Sequence, residues 1–186
     1  MSLLCGSCTD KYQQKVIAFR EMKNEKFAHP SSSPFENENL KDFKGLVYFE
    51  VKPRYKVEAK LQKSLFPSYF SLFSDSSITQ VHEEVGLLFF SLEGQDLTLK
   101  AYRSSGQPKH QLFIPFKDLT NQSETYGGGR YVDAVLLNDS TVELDFNLAY
   151  NPYCAYNETF VCAAVPAANK LQVAVEAGEK RYFGDQ

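Results

Sequence analysis

From Gly45 onward the chain keeps changing face every second residue. "YKVEAKL" and "TVELDF" alternate strictly between apolar and polar side chains, the period of a half-buried antiparallel strand. Nine short runs have strand character: "LVYFEV", "YKVEAKLQ", "YFSLFS", "VGLLFFSL", "DLTLKAY", "QLFIPF", "RYVDAVLL", "TVELDFN" and "LQVAVEA". Between them lie turn residues such as "LEGQD" and "LLNDSTV", and no helical period of useful length. That combination excludes a parallel α/β sheet, which needs a crossover helix between strands, and predicts an all-β fold, mainly an antiparallel sandwich or barrel.

Ahead of Gly45 the period is helical. Tyr12, Val16, Phe19 and Phe27 fall near one face, Thr9 or Asp10 can cap the start, and Pro30 and Pro34 in "HPSSSPF" stop the helix. "NENLKDFKG" reads as one helical turn ending at Gly45. The expected organisation is therefore a short leader at 1–8, an N-terminal α-helix and linker at 9–44, and one antiparallel β domain at 45–186. A chain of 186 residues can bury roughly 70% of its unfolded surface, enough for a core without staples.

Gly6 and Ser7 before Cys8 resemble the end of a bacterial lipoprotein signal. On this reading residues 1–8 are a signal remnant or expression scar, Cys8 carries the lipid, and the chain sits in the cell envelope, periplasmic or outer-membrane. Without a signal ahead of Cys8 it is cytoplasmic. In an oxidising compartment Cys154 and Cys162 are expected to form a disulfide closing a short loop.

Lys and Arg number 20 against 23 Asp and Glu, so nothing in the charge calls for nucleic acid as a partner. Contact with a membrane is expected only through the lipid anchor. His29, His82 and His110 stand in no ligand spacing. The four cysteines could formally hold zinc, but Cys5 and Cys8 lie in the leader; no metal and no cofactor are expected.

Two loops hold the remaining polar chemistry. "ETYGGGRYVD" has three consecutive glycines, yet a strand follows rather than a helix, so it is not a phosphate-binding loop of the usual kinds. It is either a turn whose glycines allow close backbone approach, or a corner whose amides bind an anion beside Arg130. The stretch 147–162, "NLAYNPYCAYNETFVC", fits neither period and reads as an ordered, packed loop. Because "RYVDAVLL" and "TVELDFN" are joined by a short turn, the two loops should meet at the far end of that hairpin, with Arg130 between them, near Asp145, Asn147 or Glu124.

"LKDFKGLVYFEVKPRYKVEAKL", "FIPFKDLTNQSETYGGGRYVD", "LDFNLAYNPYCAYNETFVC" and "LQVAVEAGEK" together resemble the domain of unknown function 1684 family, over about Leu40 to Lys180. The family implies no activity. The resemblance does mark Glu124, Tyr126, Gly127, Gly128, Gly129, Arg130, Tyr131, Asp133, Asp145, Asn147, Tyr150, Asn151, Cys154, Tyr156 and Asn157 as matching its blocks. The expected function is a non-catalytic binding or structural module of the envelope. Its polar ligand site would comprise Glu124, Tyr126, Gly127, Gly128, Gly129, Arg130, Asp133, Asn147, Tyr150, Asn151, Tyr156 and Asn157. The expected ligand is a polar or anionic small molecule or a glycan. The alternative is a small carboxylate-dependent hydrolase acting through Glu124 or Asp133 with Arg130.

Overall fold

The computed structural model describes the backbone of residues 6–36, 40–74, 77–104 and 106–182, and the side chains of these except 6–10 and 70–80. One helix, α1 (Gly6–Ala28), precedes seven strands: β1 (Lys56–Lys63), β2 (Tyr69–Ser74), β3 (Ser77–Leu92), β4 (Gln95–Ser104), β5 (Gln111–Phe116), β6 (Arg130–Leu136) and β7 (Thr141–Asp145). Six of them close into an antiparallel barrel in the order β1-β7-β6-β5-β4-β3, because β1 also pairs with β3. The alternation that pointed to an all-β antiparallel fold with an N-terminal helix thus yields that fold in its closed form.

Closure depends on the length of β3. Its first half pairs with β2, from Ser77↔Ser74 to Glu83↔Tyr69, and its second half with β1, from Gly86↔Lys63 to Phe89↔Lys60. The exchange of neighbours falls at a register shift between Glu84 and Gly86. A Cβ on Gly86 would run into the β1 backbone at Gln62 and Lys63. The missing side chain lets the two strands meet at the barrel corner, as glycines at such bends commonly do.

Inward positions fill the barrel. Leu88, Phe90 and Leu92 from β3, Leu99 and Ala101 from β4, Leu112, Ile114 and Phe116 from β5, Val132 and Ala134 from β6, and Val142 and Leu144 from β7 are all buried. Each is two residues from the next, so the strand period alone places them.

Two expected strands are not barrel strands. "LVYFEV" makes one bridge, Tyr48↔Glu179. "LQVAVEA" runs extended beside residues 117–119, with Leu171 N bonded to Lys117 O at 2.8 Å and Leu119 N to Val173 O at 3.0 Å. Leu171, Val173, Val175 and Ala177 are nevertheless buried in the main core. The segment stoppers one end of the barrel, and alternate burial there leaves the same imprint as a strand in the wall.

Helix α1 packs across this end differently from expectation. Val16 and Phe27 are buried, but Phe19 is 37% exposed. Much of the inner stripe is polar instead. Tyr12 Oη donates to both Asp145 oxygens at 2.9 and 2.7 Å. Arg20 donates to Phe49 O at 2.9 Å and Asn147 O at 3.1 Å. Lys23 Nζ reaches Glu179 Oε2 at 2.5 Å, and Asn24 Oδ1 accepts Leu46 N at 2.9 Å. Residues 12, 16, 20, 23, 24 and 27 are spaced as one helical face. Phe27 completes the joint in an aromatic cluster with Phe35 and Tyr156. Of the helical turn expected to end at Gly45, Leu40 is helical, its amide bonding Glu36 O at 3.0 Å, Lys41 and Asp42 form a turn, and 43–45 are irregular; residues 37–39 lie outside the described residues. So does the side chain of Cys8, on which the lipid anchor turns.

Candidate functional site

The three glycines form a turn, closed by Gly129 N bonding Tyr126 O at 3.0 Å. Gly129 has φ +99°, and a Cβ there would lie 2.7 Å from Phe116 O and 2.6 Å from Val165 Cγ2. Close approach and a left-handed backbone therefore account for this glycine.

Arg130 follows at once and is fully buried. It does not pair with Glu124, Asp133 or Asp145. Its Nη2 donates to Asp118 Oδ2 at 2.9 Å and to Val175 O at 2.8 Å, while Nη1 donates to Ala177 O and Glu179 O. Burial pulls its pKa down, opposed by Asp118. Asp118 also holds the stopper through Oδ1, which accepts Val175 N at 3.2 Å and Thr120 N at 2.8 Å. The guanidinium is thus a bolt between barrel wall and stopper. It is closed to any ligand unless the chain opens.

The other candidates separate into groups. Glu124 is exposed and pairs loosely with Lys180 at 3.5 Å. Gly127 and Gly128 sit at the surface of the turn. Asn147 is buried; its side chain reads the Lys52 backbone from both ends, accepting N at 2.9 Å and donating to O at 3.0 Å. Asn151 is buried beside Glu179, donating to Oε1 at 3.1 Å and to Lys180 O at 2.8 Å. Tyr156 Oη also donates to Glu179, and Asn157 holds Pro34 O at 3.0 Å. These contacts fix the 147–157 loop and α1 around Glu179, which is itself fully buried.

The two loops do meet. Tyr131 and Tyr150 exchange backbone hydrogen bonds at 2.8 Å in both directions, and Tyr126 Oη lies 3.8 Å from Cys154 Sγ. Alternation along β6 sends Arg130 inward and Tyr131 and Asp133 outward, onto the face that α1 overhangs.

There the structure has a groove of about 600 Å³, between α1 and the 150–163 segment. Phe19, Met22, Phe160 and Val161 wall it with apolar surface, and Met22 and Val161 are 60% and 55% exposed. Tyr131 and Tyr150 line it from β6 and the loop, their rings 6.0 Å apart and nearly perpendicular. Asp133 is the one carboxylate among the described lining residues. Tyr150 Oη donates to both its oxygens at 3.3 Å. Asp133 is open to solvent, yet the protein packed around it raises its pKa, the Tyr150 hydrogen bond opposing. Of the two lysines, Lys23 is neutralised by Glu179 and Lys26 stands exposed at the rim, 6.0 Å from the Tyr153 ring.

The expected disulfide is not formed. Cys154 and Cys162 are free thiols. Cys162 Sγ accepts the Cys154 backbone amide at 3.1 Å, so the two side chains are neighbours without a covalent bond.

The groove thus gathers Asp133, Tyr150 and Asn151 from the expected site, and leaves Arg130, Asn147, Glu124 and the glycines elsewhere. Sequence reasoning missed Asp118, Lys23 and Glu179, and the groove side of α1. Two polar side chains on the helical stripe, Arg20 and Lys23, were the available signal for a second packed face.

The model of the family described as "Protein of unknown function (DUF1684)" matches residues 41–180. The solution NMR structure of an uncharacterised protein from Haloarcula marismortui is similar, with 36% identity, a TM-score of 0.75, and coverage of 94% of this chain and 96% of that one. No curated protein matches.

Proposed function

The chain belongs to the DUF1684 family, and within it we propose that this protein is a binding module that takes a small ligand in the groove between α1 and the 150–163 segment. The observation that carries this reading is the pairing of apolar walls with a single carboxylate, exposed to solvent within the groove. Asp133 has one hydrogen-bond donor among the described side chains, Tyr150, at 3.3 Å. Small-molecule sites are mostly apolar, with a few placed polar groups. An open carboxylate lining an apolar groove with two tyrosine rings suits a ligand with an apolar or aromatic body and an ammonium or hydroxyl head. An anionic head would meet the Asp133 charge, so the anionic ligand that a free Arg130 would have favoured gives way to a donor-bearing one.

The hydrolase reading has less support. It needs a second carboxylate facing the same space, and none lines the groove among the described residues. Placement in the envelope is supported by the sequence before Cys8 alone. No helix among the described residues is long and apolar enough to cross a membrane.

The test is a titration with 2-phenylethylamine and with 3-phenylpropionate across the acid range. Asp133 carries its charge only above its raised pKa, so amine affinity should rise with pH through that value. The acid should bind more weakly. Asp133→Asn should abolish the pH dependence; equal affinity for both probes, unaffected by this substitution, would sink the proposal.

A further inference from the structure

We propose that Cys154 and Cys162 form a dithiol site that reacts with small hydroperoxides and closes to an intramolecular disulfide. Three observations place the reaction. The Cys154 backbone amide donates to Cys162 Sγ at 3.1 Å, which seats the two cysteines side by side. Tyr126 Oη points its proton at Cys154 Sγ from 3.8 Å, across the contact between the two loops. Both cysteines are partly open to solvent, and Cys162 lines the groove.

A thiolate is the reactive form of cysteine, and donors around the sulfur favour it. The Cys154 thiol is brought down to about 7, first by the hydrogen bond from Cys162 and further by Tyr126, while burial opposes. Cys162 is pushed up by the same pairing. Tyr126 Oη faces the Cys154 sulfur, so Cys154 is the attacking cysteine and Cys162 the resolving one.

The steps balance. The Cys154 thiolate attacks the nearer peroxide oxygen, the O–O bond breaks, and the departing alkoxide takes a proton to leave as alcohol or water. Cys154 is then a sulfenic acid. Cys162 gives up its proton and attacks the Cys154 sulfur; the S–O bond breaks and water leaves. Two thiols are oxidised by two electrons, and one hydroperoxide is reduced.

The bond would close the loop that carries Phe160 and Val161, the outer wall of the groove. It would restrict that wall without needing any ligand there, so this site stands or falls apart from the ligand proposal.

Trypsin separates the cysteines: Cys5 and Cys8 fall on the peptide ending at Lys11, and Cys154 and Cys162 share the peptide Tyr131–Lys170. The full folded chain is treated with one equivalent of hydrogen peroxide and dimedone, then mapped by mass spectrometry. The expected result is loss of two hydrogens from the Tyr131–Lys170 peptide, with no dimedone adduct there. In Cys162→Ser, dimedone should label Cys154; Tyr126→Phe should slow the labelling, and urea-unfolded protein should react about tenfold more slowly than folded protein. Labelling of Cys162 in Cys154→Ser at the rate of Cys154, or a folded rate no faster than the unfolded one, would overturn the proposal.

Discussion

Arg130 Nη2 lies 2.9 Å from Asp118 Oδ2, and neither side chain has any exposure to solvent. The pair joins the start of β6 to the stopper through the carbonyls of Val175, Ala177 and Glu179. Removing one member leaves an uncompensated buried charge, which costs about 3–5 kcal/mol. Arg130→Ala and Asp118→Ala should each lower stability by that much in denaturant unfolding. The double variant Arg130→Met/Asp118→Leu should cost far less than the sum.

Gly129 is tied to the same corner. Gly129→Ala must hold an L residue near φ +99° and push against Phe116 O. It should lose about 1–3 kcal/mol of unfolding free energy. Gly94→Ala, at φ +74° with open space around it, should lose less. Equal losses at the two positions would remove close approach as the reason for Gly129.

Helix docking through polar groups gives a third expectation. Glu179→Gln leaves the Lys23 ammonium, only 14% exposed, without its counter-charge. Lys23→Met in that background should restore stability, because both charges are then gone. Thermal unfolding of the single and double variants separates this from a general loss of packing.

His82 supplies the pH dependence. It is buried, its ring 4.8 Å from that of Phe113, and burial lowers its pKa below 6.5. Between the lowered folded pKa and about 6.5 the unfolded chain binds the extra proton and the folded chain does not, so stability rises with pH across that window. Acid should weaken the protein progressively below about pH 6.5, and the loss should be complete below the folded pKa. His82→Gln should flatten that limb in denaturant midpoints measured from pH 7 downward.

These residues also show how far the sequence could be read. Strict alternation in "YKVEAKL" and "TVELDF" is a local signal, and it led to the all-β class, the β6–β7 hairpin and the meeting of the two loops. Alternation says nothing of what lies opposite. Leu171 to Ala177 alternate because they stopper the barrel, and Arg130 reaches Asp118 because β6 starts opposite Phe116 at the end of β5. Both depend on what lies opposite a residue in another segment, which no short window records. The groove escaped for a related reason. Its walls, Phe19 and Met22, belong to a helix whose packed stripe is partly polar, so an apolar-face reading assigned Phe19 to the core.

The most direct test of the central claim is a backbone amide NMR titration of the full chain with 2-phenylethylamine, beside the variant Val161→Arg. Val161 is exposed on the groove wall, so an arginine there blocks the space with little effect on the fold. Shift changes should cluster at Met22, Tyr131, Asp133, Val161 and Cys162 in the wild-type protein and be lost in the variant. Changes centred instead on the exposed Leu65 and Phe66 (88% and 91%), or the same changes in both proteins, would contradict the claim.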